Sequence, residues 1–228
     1  MLWAGRYQDR QGVEPISIDN DGELLSVRIR GVDFAGRDFD SLEPVADDLP
    51  ADMAFTLSDG ALCSCTLEWV ILPVRVQLGG NAADGLLECQ LRLGDPAPKP
   101  RGGLDAEDLT MVLGIGERRY PTTRPHGSFE DALADIHRQL PAEQYVRACV
   151  ACAWSDYHPA GNPLFGGLAC FRGNKEAYRH VTDKAGIFQV WNTRTEWVQE
   201  THVCDEFERR GPDVGYRGTF PPPNHPLA

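Results

Sequence analysis

Four cysteines in the C-terminal third of the chain have the spacing of a metal site. Cys149 and Cys152 form a C-x2-C pair, 17 residues separate Cys152 from Cys170, and 33 residues separate Cys170 from Cys204. Two cysteines in a tight turn direct both sulfur atoms towards one point, and two further thiolates complete the tetrahedron that Zn²⁺ prefers. The spacing therefore predicts a closed structural Zn²⁺ site with Cys149, Cys152, Cys170 and Cys204 as its ligands.

Three other interpretations of these thiols stay open. The site could keep one coordination position open, or it could use a histidine such as His202 in place of a cysteine. The thiols could also carry no metal, or form a redox pair. A redox C-x2-C motif requires a helix directly after it, and the segment "AWSDYHPAGNP" (153–163) is too rich in Pro and Gly for one. We expect this loop to bury little apolar surface, so a bound metal would hold it in place.

Three polar residues in the loop between the cysteines could carry out acid–base chemistry. Asp156, Tyr157 and His158 are adjacent and would supply a carboxylate base, a phenol donor and an imidazole. Neighbouring side chains in a loop usually diverge, so a structural role is the alternative. In that interpretation Asp156 bonds to nearby backbone N–H groups, Tyr157 packs under the loop and His158 is exposed.

Two more residues complete the set of catalytic candidates. Arg172 precedes the start of a predicted helix and could meet an anion there, or it could form a surface ion pair with an acid such as Glu176. Glu200, or Glu206, could act as a base towards a metal-bound water if the zinc site had an open position, although sites built only of sulfur are rarely hydrolytic. The chain contains no G-x-x-x-x-G-K-[ST], H-E-x-x-H or G-x-S-x-G motif, which argues against the common nucleotide-binding and hydrolase classes.

The elements that precede these residues are predicted to be strands. Apolar residues alternate with polar ones in "ELLSVRIRG" (23–31), "ALCSCTLEWVILPVRVQLGG" (61–80) and "GLLECQLRLG" (85–94), a pattern typical of half-buried antiparallel strands. Pro73 indicates an edge strand or a bulge. Three further cysteines lie on the apolar side of this alternation and are expected to pack as small hydrophobic residues: Cys63, Cys65 and Cys89.

Helical patterns begin only after residue 122. Ser128 is a good N-cap, and apolar residues at helical spacing predict a helix over 128–140 that ends before Pro141. Two shorter helices are predicted after Asn174 and after Asp183. The segments "YVRACVACAW" (145–154) and "FGGLACFR" (165–172) are predicted to be strands on either side of the thiol loop.

Together these patterns predict an α+β fold. An antiparallel β-sandwich-like N-terminal body is followed by a zinc-stapled α/β C-terminal part. Four regions are predicted: a β-rich body (1–121), a connecting helix (122–144), a four-cysteine metal-binding subdomain (145–218) and a Pro-rich tail (219–228). We expect them to form one continuous structural unit.

The composition restricts where the protein works and what it binds. The net charge of −12 argues against a nucleic-acid surface or an anionic membrane as partner. Residues 1–60 contain 13 acidic and 5 basic residues, so a net charge of −8, and could form either a solvated acidic face or a surface for a basic partner. No segment has the ~20 apolar residues of a membrane span, and the start lacks the apolar core of a signal peptide, so we expect a cytoplasmic protein. Seven cysteines, an odd number, indicate thiols or ligands rather than a disulfide framework.

Several stretches resemble a family of bacterial proteins classed as a domain of unknown function. They are "FAGRDFDSLEP" (34–44), "LCSCTLEWVILPV" (62–74), "CVACAWSDYHPAGNPLFGGLACFRGNKEAY" (149–178) and "VQETHVCDEFERR" (198–210), of which the last two are the most specific. The four C-terminal cysteines and the triplet 155–157 match the pattern expected of that family. The resemblance covers most of the chain and supports one folded unit, but it implies no activity.

Two functional hypotheses follow from the sequence. The first is a zinc-binding protein without catalytic activity that binds another protein, with the zinc in a structural role. The second is an enzyme, accessory to a bacterial biosynthetic pathway, whose site lies at the SDYHP loop (155–159). A deep pocket lined by the catalytic candidates favours the enzyme, and a sealed loop favours the binding protein. The sequence does not indicate an oligomeric state.

Overall fold

In the computed structural model, the described residues form fifteen strands and three α-helices. The structure describes residues 1–46, 55–98, 103–159, 164–212, 214–215 and 217–222. The strands are β1 (Leu2–Asp9), β2 (Gly12–Asn20), β3 (Leu25–Ile29), β4 (Val32–Gly36), β5 (Glu43–Pro44), β6 (Leu57–Ser58), β7 (Ala61–Leu62), β8 (Cys65–Leu78), β9 (Asn81–Leu93), β10 (Glu107–Ile115), β11 (Arg118–Pro121), β12 (Gln144–Val146), β13 (Ser155–Asp156), β14 (Gly167–Cys170) and β15 (Glu196–Gln199). The helices are α1 (Phe129–Gln139), α2 (Lys175–Arg179) and α3 (Lys184–Val190), and single 3₁₀ turns span Phe39–Ser41, Cys149–Ala151, Arg172–Asn174 and Trp191–Thr193.

The N-terminal body is built on one ten-stranded antiparallel sheet, beside which β6 and β7 form a separate two-stranded sheet. The strand order of the ten-stranded sheet is β11-β10-β9-β8-β1-β2-β3-β4-β5, and β12 pairs with the second half of β8. The predicted antiparallel β-rich body and the mixture of sheet with a few helices are confirmed. The strands do not divide into the two separate sheets of a sandwich, because β8 and β9, at 14 and 13 residues, are long enough to join both groups of strands.

The long β8–β9 pair explains the pattern around Pro73. The pairing register shifts between Ile71 and Val74, so the predicted bulge is confirmed. The alternation also holds, since Cys65 and Cys89 point into the core with Leu and Trp neighbours, and Cys63 is buried just before β8. These three thiols lie in the core of the sheet, as predicted.

Helix α1 has the predicted cap and face. The Ser128 hydroxyl accepts a hydrogen bond from the Asp131 backbone N–H at 3.2 Å, and the helix runs to Gln139, one residue short of the predicted end. Its apolar face is fully buried, and it packs against β10. None of the helices in the described part of the chain is long and apolar enough to cross a membrane.

The loop after the SDYHP segment contributes an aromatic side chain to the centre of the core. Phe165 is fully buried, and its ring lies 4.3 Å from Phe129, 5.0 Å from Trp3 and 5.6 Å from Trp69, measured between ring centroids. The expectation that this loop buries little apolar surface is therefore wrong. Phe165 also has a positive φ of 68°, a conformation that is costly for a residue with a Cβ, and the surrounding aromatic packing holds it there.

A second, three-stranded sheet forms the C-terminal part, in the order β13-β14-β15. It packs directly on the turn between β2 and β3, where a Cβ on Gly167 would lie 2.3 Å from the Gly22 carbonyl oxygen. Helix α3 begins as predicted, with the Asp183 side chain accepting from the Gly186 N–H at 2.7 Å. Helix α2 follows Asn174, whose side chain makes no cap and instead donates to the Thr193 hydroxyl.

Candidate functional site

The three segments that carry the four C-terminal cysteines lie against one another. We call Cys149, Cys152, Cys170 and Cys204 the thiol cluster. The 3₁₀ turn that begins at Cys149 closes with a hydrogen bond from the Cys152 N–H to the Cys149 carbonyl at 3.0 Å. The Cys149 N–H donates to the carbonyl of His202 at 2.7 Å, two residues before Cys204. Cys170 ends β14 opposite Ser155 of β13.

A side chain and a bridge hold these segments in register. The Ser155 hydroxyl donates to the carbonyls of Cys149 and Cys152, so it holds the C-x2-C turn in place. Cys152 forms an antiparallel bridge with Arg209, and the Ala153 N–H donates to the Glu208 carbonyl at 2.7 Å. The segment that follows Cys204 therefore runs beside the C-x2-C turn. The strand expected over 145–154 is replaced by β12 and the 3₁₀ turn, because this turn closes on itself.

The thiols of the cluster affect one another electrostatically. Burial raises the pKa of the Cys149 thiol, and the charges of Cys152, Cys170 and Cys204 raise it further. Burial also raises the pKa of Cys152, while the backbone N–H groups of Glu208 and Trp154 oppose the increase. Burial raises the pKa of Cys170 as well, and a hydrogen bond from the backbone N–H of Arg172 opposes this increase. Each sulfur therefore stands within electrostatic range of the others.

The side chains of the cluster are not in a coordination geometry. Among the residues that the structure describes, no three His, Cys, Asp or Glu side chains are arranged so that they could hold a metal ion. Three of the thiols are buried and Cys204 is half-buried.

The SDYHP loop places two candidate residues in the interior. The Asp156 carboxylate accepts a hydrogen bond from the Tyr178 hydroxyl at 2.9 Å. The Tyr157 hydroxyl donates to Glu200 Oε1 at 2.7 Å. His158 is exposed, as expected, beside the ring of Trp191. Asp156 and Tyr157 thus point into the fold. Asp156 also keeps a bond to a nearby backbone N–H, that of Tyr157, as expected.

An ionic cluster that the sequence analysis missed lies beside these residues. Two arginines from the C-terminal segment share one acid of α1: Arg210 and Arg217 each direct Nη2 at Glu130 Oε1, at 2.5 and 2.9 Å. Arg217 Nε also lies 3.9 Å from Asp156 Oδ1. We call Glu130, Asp156, Arg210 and Arg217 the ionic cluster. The only local signal was the basic pair in "FERRG", which is indistinguishable from a surface pair.

A cavity of about 330 Å³ opens at the ionic cluster. Its lining includes Asp156, Tyr157 and His158 together with Arg210 and Arg217. Three of the five catalytic candidates therefore meet at one cavity, which is the observation expected to favour an enzyme or ligand-binding site over a sealed loop.

The other two catalytic candidates do not line this cavity. Arg172 forms an ion pair with Glu196 and lies 3.9 Å from Glu206, which also pairs with Lys175. The surface ion pair proposed for Arg172 thus exists, but its acid is Glu196 rather than Glu176. Glu200 has no exposed surface and contacts Tyr157, so it is not placed to act on a metal-bound water.

Burial sets the protonation state of Glu200. The pKa of its carboxyl group is raised well above the usual range by burial and, to a smaller extent, by the charge of Glu130, although the bond from Tyr157 opposes the increase. In the described part of the chain its Oε2 has no hydrogen-bond partner. Burial therefore favours the protonated, neutral form of the Glu200 carboxyl group in the folded protein.

We expect Glu200→Gln to remove a pH dependence of stability. An unfolded Glu loses its proton near pH 4.3, so above that pH the folded wild type binds one proton more than the unfolded chain. Its stability then falls as pH rises, by up to about 1.4 kcal/mol per pH unit until the raised pKa is reached. Urea unfolding at pH 5, 6, 7 and 8 would show a shallower slope in the variant. Glu206→Gln, at an exposed carboxylate, is the control, and equal slopes in wild type and Glu200→Gln would contradict the assignment.

Comparison with known proteins identifies a family but no characterised relative. A family model described as "Family of unknown function (DUF6304)" matches residues 1–155. The matched region includes Cys149 and Cys152 and ends before Cys170 and Cys204. No curated protein and no solved structure matches the chain. The resemblance to a family of unknown function is confirmed, while bacterial origin and the family cysteine pattern stay predictions.

Proposed function

The chain belongs to the DUF6304 family, whose function is unknown, and we propose that it is a zinc-binding protein in which the thiol cluster holds one structural Zn²⁺. The observation that carries this proposal is the backbone pairing around the C-x2-C turn. Cys149 is bonded to the residue two before Cys204, and Cys170 ends the strand paired with Ser155 of the same turn. All four ligands therefore come from segments already joined by hydrogen bonds.

The chemistry of the donors suits zinc. Four thiolates in a buried site repel one another and lose hydration, which is why the pKa of the Cys149 thiol is raised. A divalent cation offsets this repulsion, and Zn²⁺ accepts four sulfur ligands without a preferred electronic geometry. Backbone N–H groups of Trp154 and Arg172 act on the sulfurs of Cys152 and Cys170, and such donors stabilise metal-bound thiolates.

Coordination would form together with metal binding. The thiols must lose their protons and the four sulfur atoms must turn towards one point, so binding free energy becomes folding free energy. Four sulfur ligands leave no open position for a water molecule, which makes the site structural rather than hydrolytic. The zinc would staple the C-x2-C turn, β14 and the segment around Cys204.

The proposed role is that of a cytoplasmic binding protein, and its partner would be another protein. The acidic N-terminal region, residues 1–60, favours a basic partner surface. Within it, the carboxylates of Asp33 and Asp19 are exposed, and they pair with Arg28 and with the N-terminal amine. Three of the acidic residues of this region, Asp47, Asp48 and Asp52, lie outside the described residues.

Metal analysis of purified, reduced protein tests the proposal. We expect close to one zinc per chain in the wild type and a large loss of zinc in Cys204→Ser, which removes the most accessible ligand. The matched control is Cys63→Ala, which removes a core thiol outside the cluster and should keep its zinc. A wild type without zinc, or equal zinc in all three proteins, would contradict the proposal.

A further inference from the structure

The cavity beside the ionic cluster is built from three separate parts of the chain. Glu130 comes from the first turn of α1, Tyr157 follows β13, and Arg210 belongs to the segment paired with the C-x2-C turn. At about 330 Å³ its size falls in the lower range of small-molecule sites. None of the thiol cluster lines it, so the cavity is distinct from the proposed zinc site.

Arg210 lines this cavity with hydrogen-bond donors that the protein does not use. Its side chain is only 2% exposed. Nη2 is bonded to Glu130, but among the described residues Nε and Nη1 have no hydrogen-bond partner. A buried guanidinium donor without an acceptor is destabilising, and an oxyanion in the cavity would remove that cost.

The surroundings hold the guanidinium in place and add positive charge. The Arg210 Cζ lies 5.1 Å from the Phe220 ring centroid, and Arg217 is anchored by its Nη1 bond to the Ser155 carbonyl at 2.9 Å. Both arginines share Glu130, and Asp156 lies 3.9 Å from Arg217, so Glu130 is the only one of the two carboxylates in the ionic cluster that pairs with Arg210. Lys184, an exposed residue of α3, adds a further cation at the rim.

We propose that this cavity binds a small molecule that bears a carboxylate or phosphate group, with the Arg210 guanidinium as the donor to that oxyanion. Lys184 attracts the anion at the entrance, and Arg217 with Glu130 positions the Arg210 guanidinium. Asp131 and Asp156 also line the cavity and are acceptors, so they favour a ligand that also carries a hydroxyl or amino group. This inference goes beyond the zinc site and does not depend on it.

Isothermal titration calorimetry on the full chain tests the inference. Sodium phosphate and sodium succinate are the two probes, each titrated in chloride buffer of matched ionic strength. We expect saturable binding of at least one probe and at least a tenfold loss of affinity in Arg210→Lys, because an ammonium group does not reproduce the donors of the guanidinium. The control is Arg172→Lys, at a surface ion pair outside the cavity, which should keep wild-type affinity.

Each possible result of the two titrations either supports or overturns the inference. Binding of phosphate alone or succinate alone supports it and identifies the oxyanion, and binding of both supports a general oxyanion site. Absence of binding by both probes, or equal affinity in wild type and Arg210→Lys, would overturn it. If Arg210→Lys does not fold, Lys184→Met takes its place with an expected loss of threefold or more, and unchanged affinity in that exposed variant would overturn the inference.

Discussion

If the thiol cluster holds zinc as proposed, removal of the metal is expected to lower the midpoint of thermal unfolding by about 10 °C or more. Structural Zn²⁺ sites bind with apparent free energies of about 10–16 kcal/mol, and the site forms only in the folded chain. A loss of even about 5 kcal/mol corresponds to roughly 10–20 °C for a chain of this size. The change should be large because the C-x2-C turn and β14 both contribute to the main core, through Cys149 and Cys170.

The measurement compares thermal unfolding before and after dialysis against a chelator under reducing conditions. Cys204→Ser should resemble the chelated wild type, and chelation should then have little further effect on it. Cys63→Ala should respond to the chelator as the wild type does. Hydrogen exchange would locate the change, with protection lost at Cys149–Ala151 and Gly167–Cys170 before it is lost in β8 and β9. An unfolding midpoint that the chelator does not move would rule out a structural metal.

Replacement of Glu130 by Gln is expected to destabilise the protein by about 3–5 kcal/mol. Glu130 is the acid shared by Arg210 and Arg217, whose side chains are 2% and 7% exposed. Removal of one partner from a buried ion pair leaves uncompensated buried charge, which is among the most costly single changes. Here the substitution leaves the guanidinium groups of Arg210 and Arg217 without the carboxylate that they share. Urea unfolding of the wild type and of Glu130→Gln would give the difference in free energy of unfolding. It is calculated from the midpoint of each transition and from the slope of the free energy against urea concentration.

Glu196→Gln is the matched control for that variant. It breaks the ion pair with Arg172, but the Glu196 side chain is 39% exposed, so we expect a loss below about 1 kcal/mol. If Glu130→Gln costs no more than Glu196→Gln, the ionic cluster contributes little to stability.

The pH dependence of the same variant has a definite sign. Burial alone would raise the pKa of Glu130, but Arg217 and Arg210 together lower it below its usual value. The stabilisation is therefore present above the unfolded pKa of about 4.3 and is lost as pH falls through the lower folded pKa. Wild type and Glu130→Gln should approach each other in stability at acid pH, and a constant difference would contradict the assignment.

The thiol cluster and the ionic cluster share one supporting segment. Residues 208–210 run beside 151–153, joined by the Ala153–Glu208 bond and by the Arg210 N–H donated to the Ala151 carbonyl at 2.9 Å. A metal that holds Cys152 and Cys204 would therefore also fix the segment from which Arg210 reaches the cavity. The structural zinc and the ligand cavity are then two parts of one C-terminal arrangement.

Local patterns predicted much of the fold. Period-two alternation identified β8 and β9, the proline marked their bulge, and Ser128 with its helical face identified α1, because these signals depend on neighbouring residues alone. The cysteine spacing also selected the three segments that pair around the C-x2-C turn. Metal coordination itself stays a prediction.

Tertiary structure alone decided the rest. The ten-stranded sheet, the burial of Phe165 and the pairing of Glu130 with two arginines 80 and 87 residues away depend on contacts between distant parts of the chain. A lone Glu at a helix start and an Arg pair in a loop are the residue types that usually face solvent, so neither had a signature of burial. The charges of Glu130, Arg210 and Arg217 are tolerated in the interior only because the fold brings these residues into contact. A local sequence pattern does not predict such a contact between distant residues.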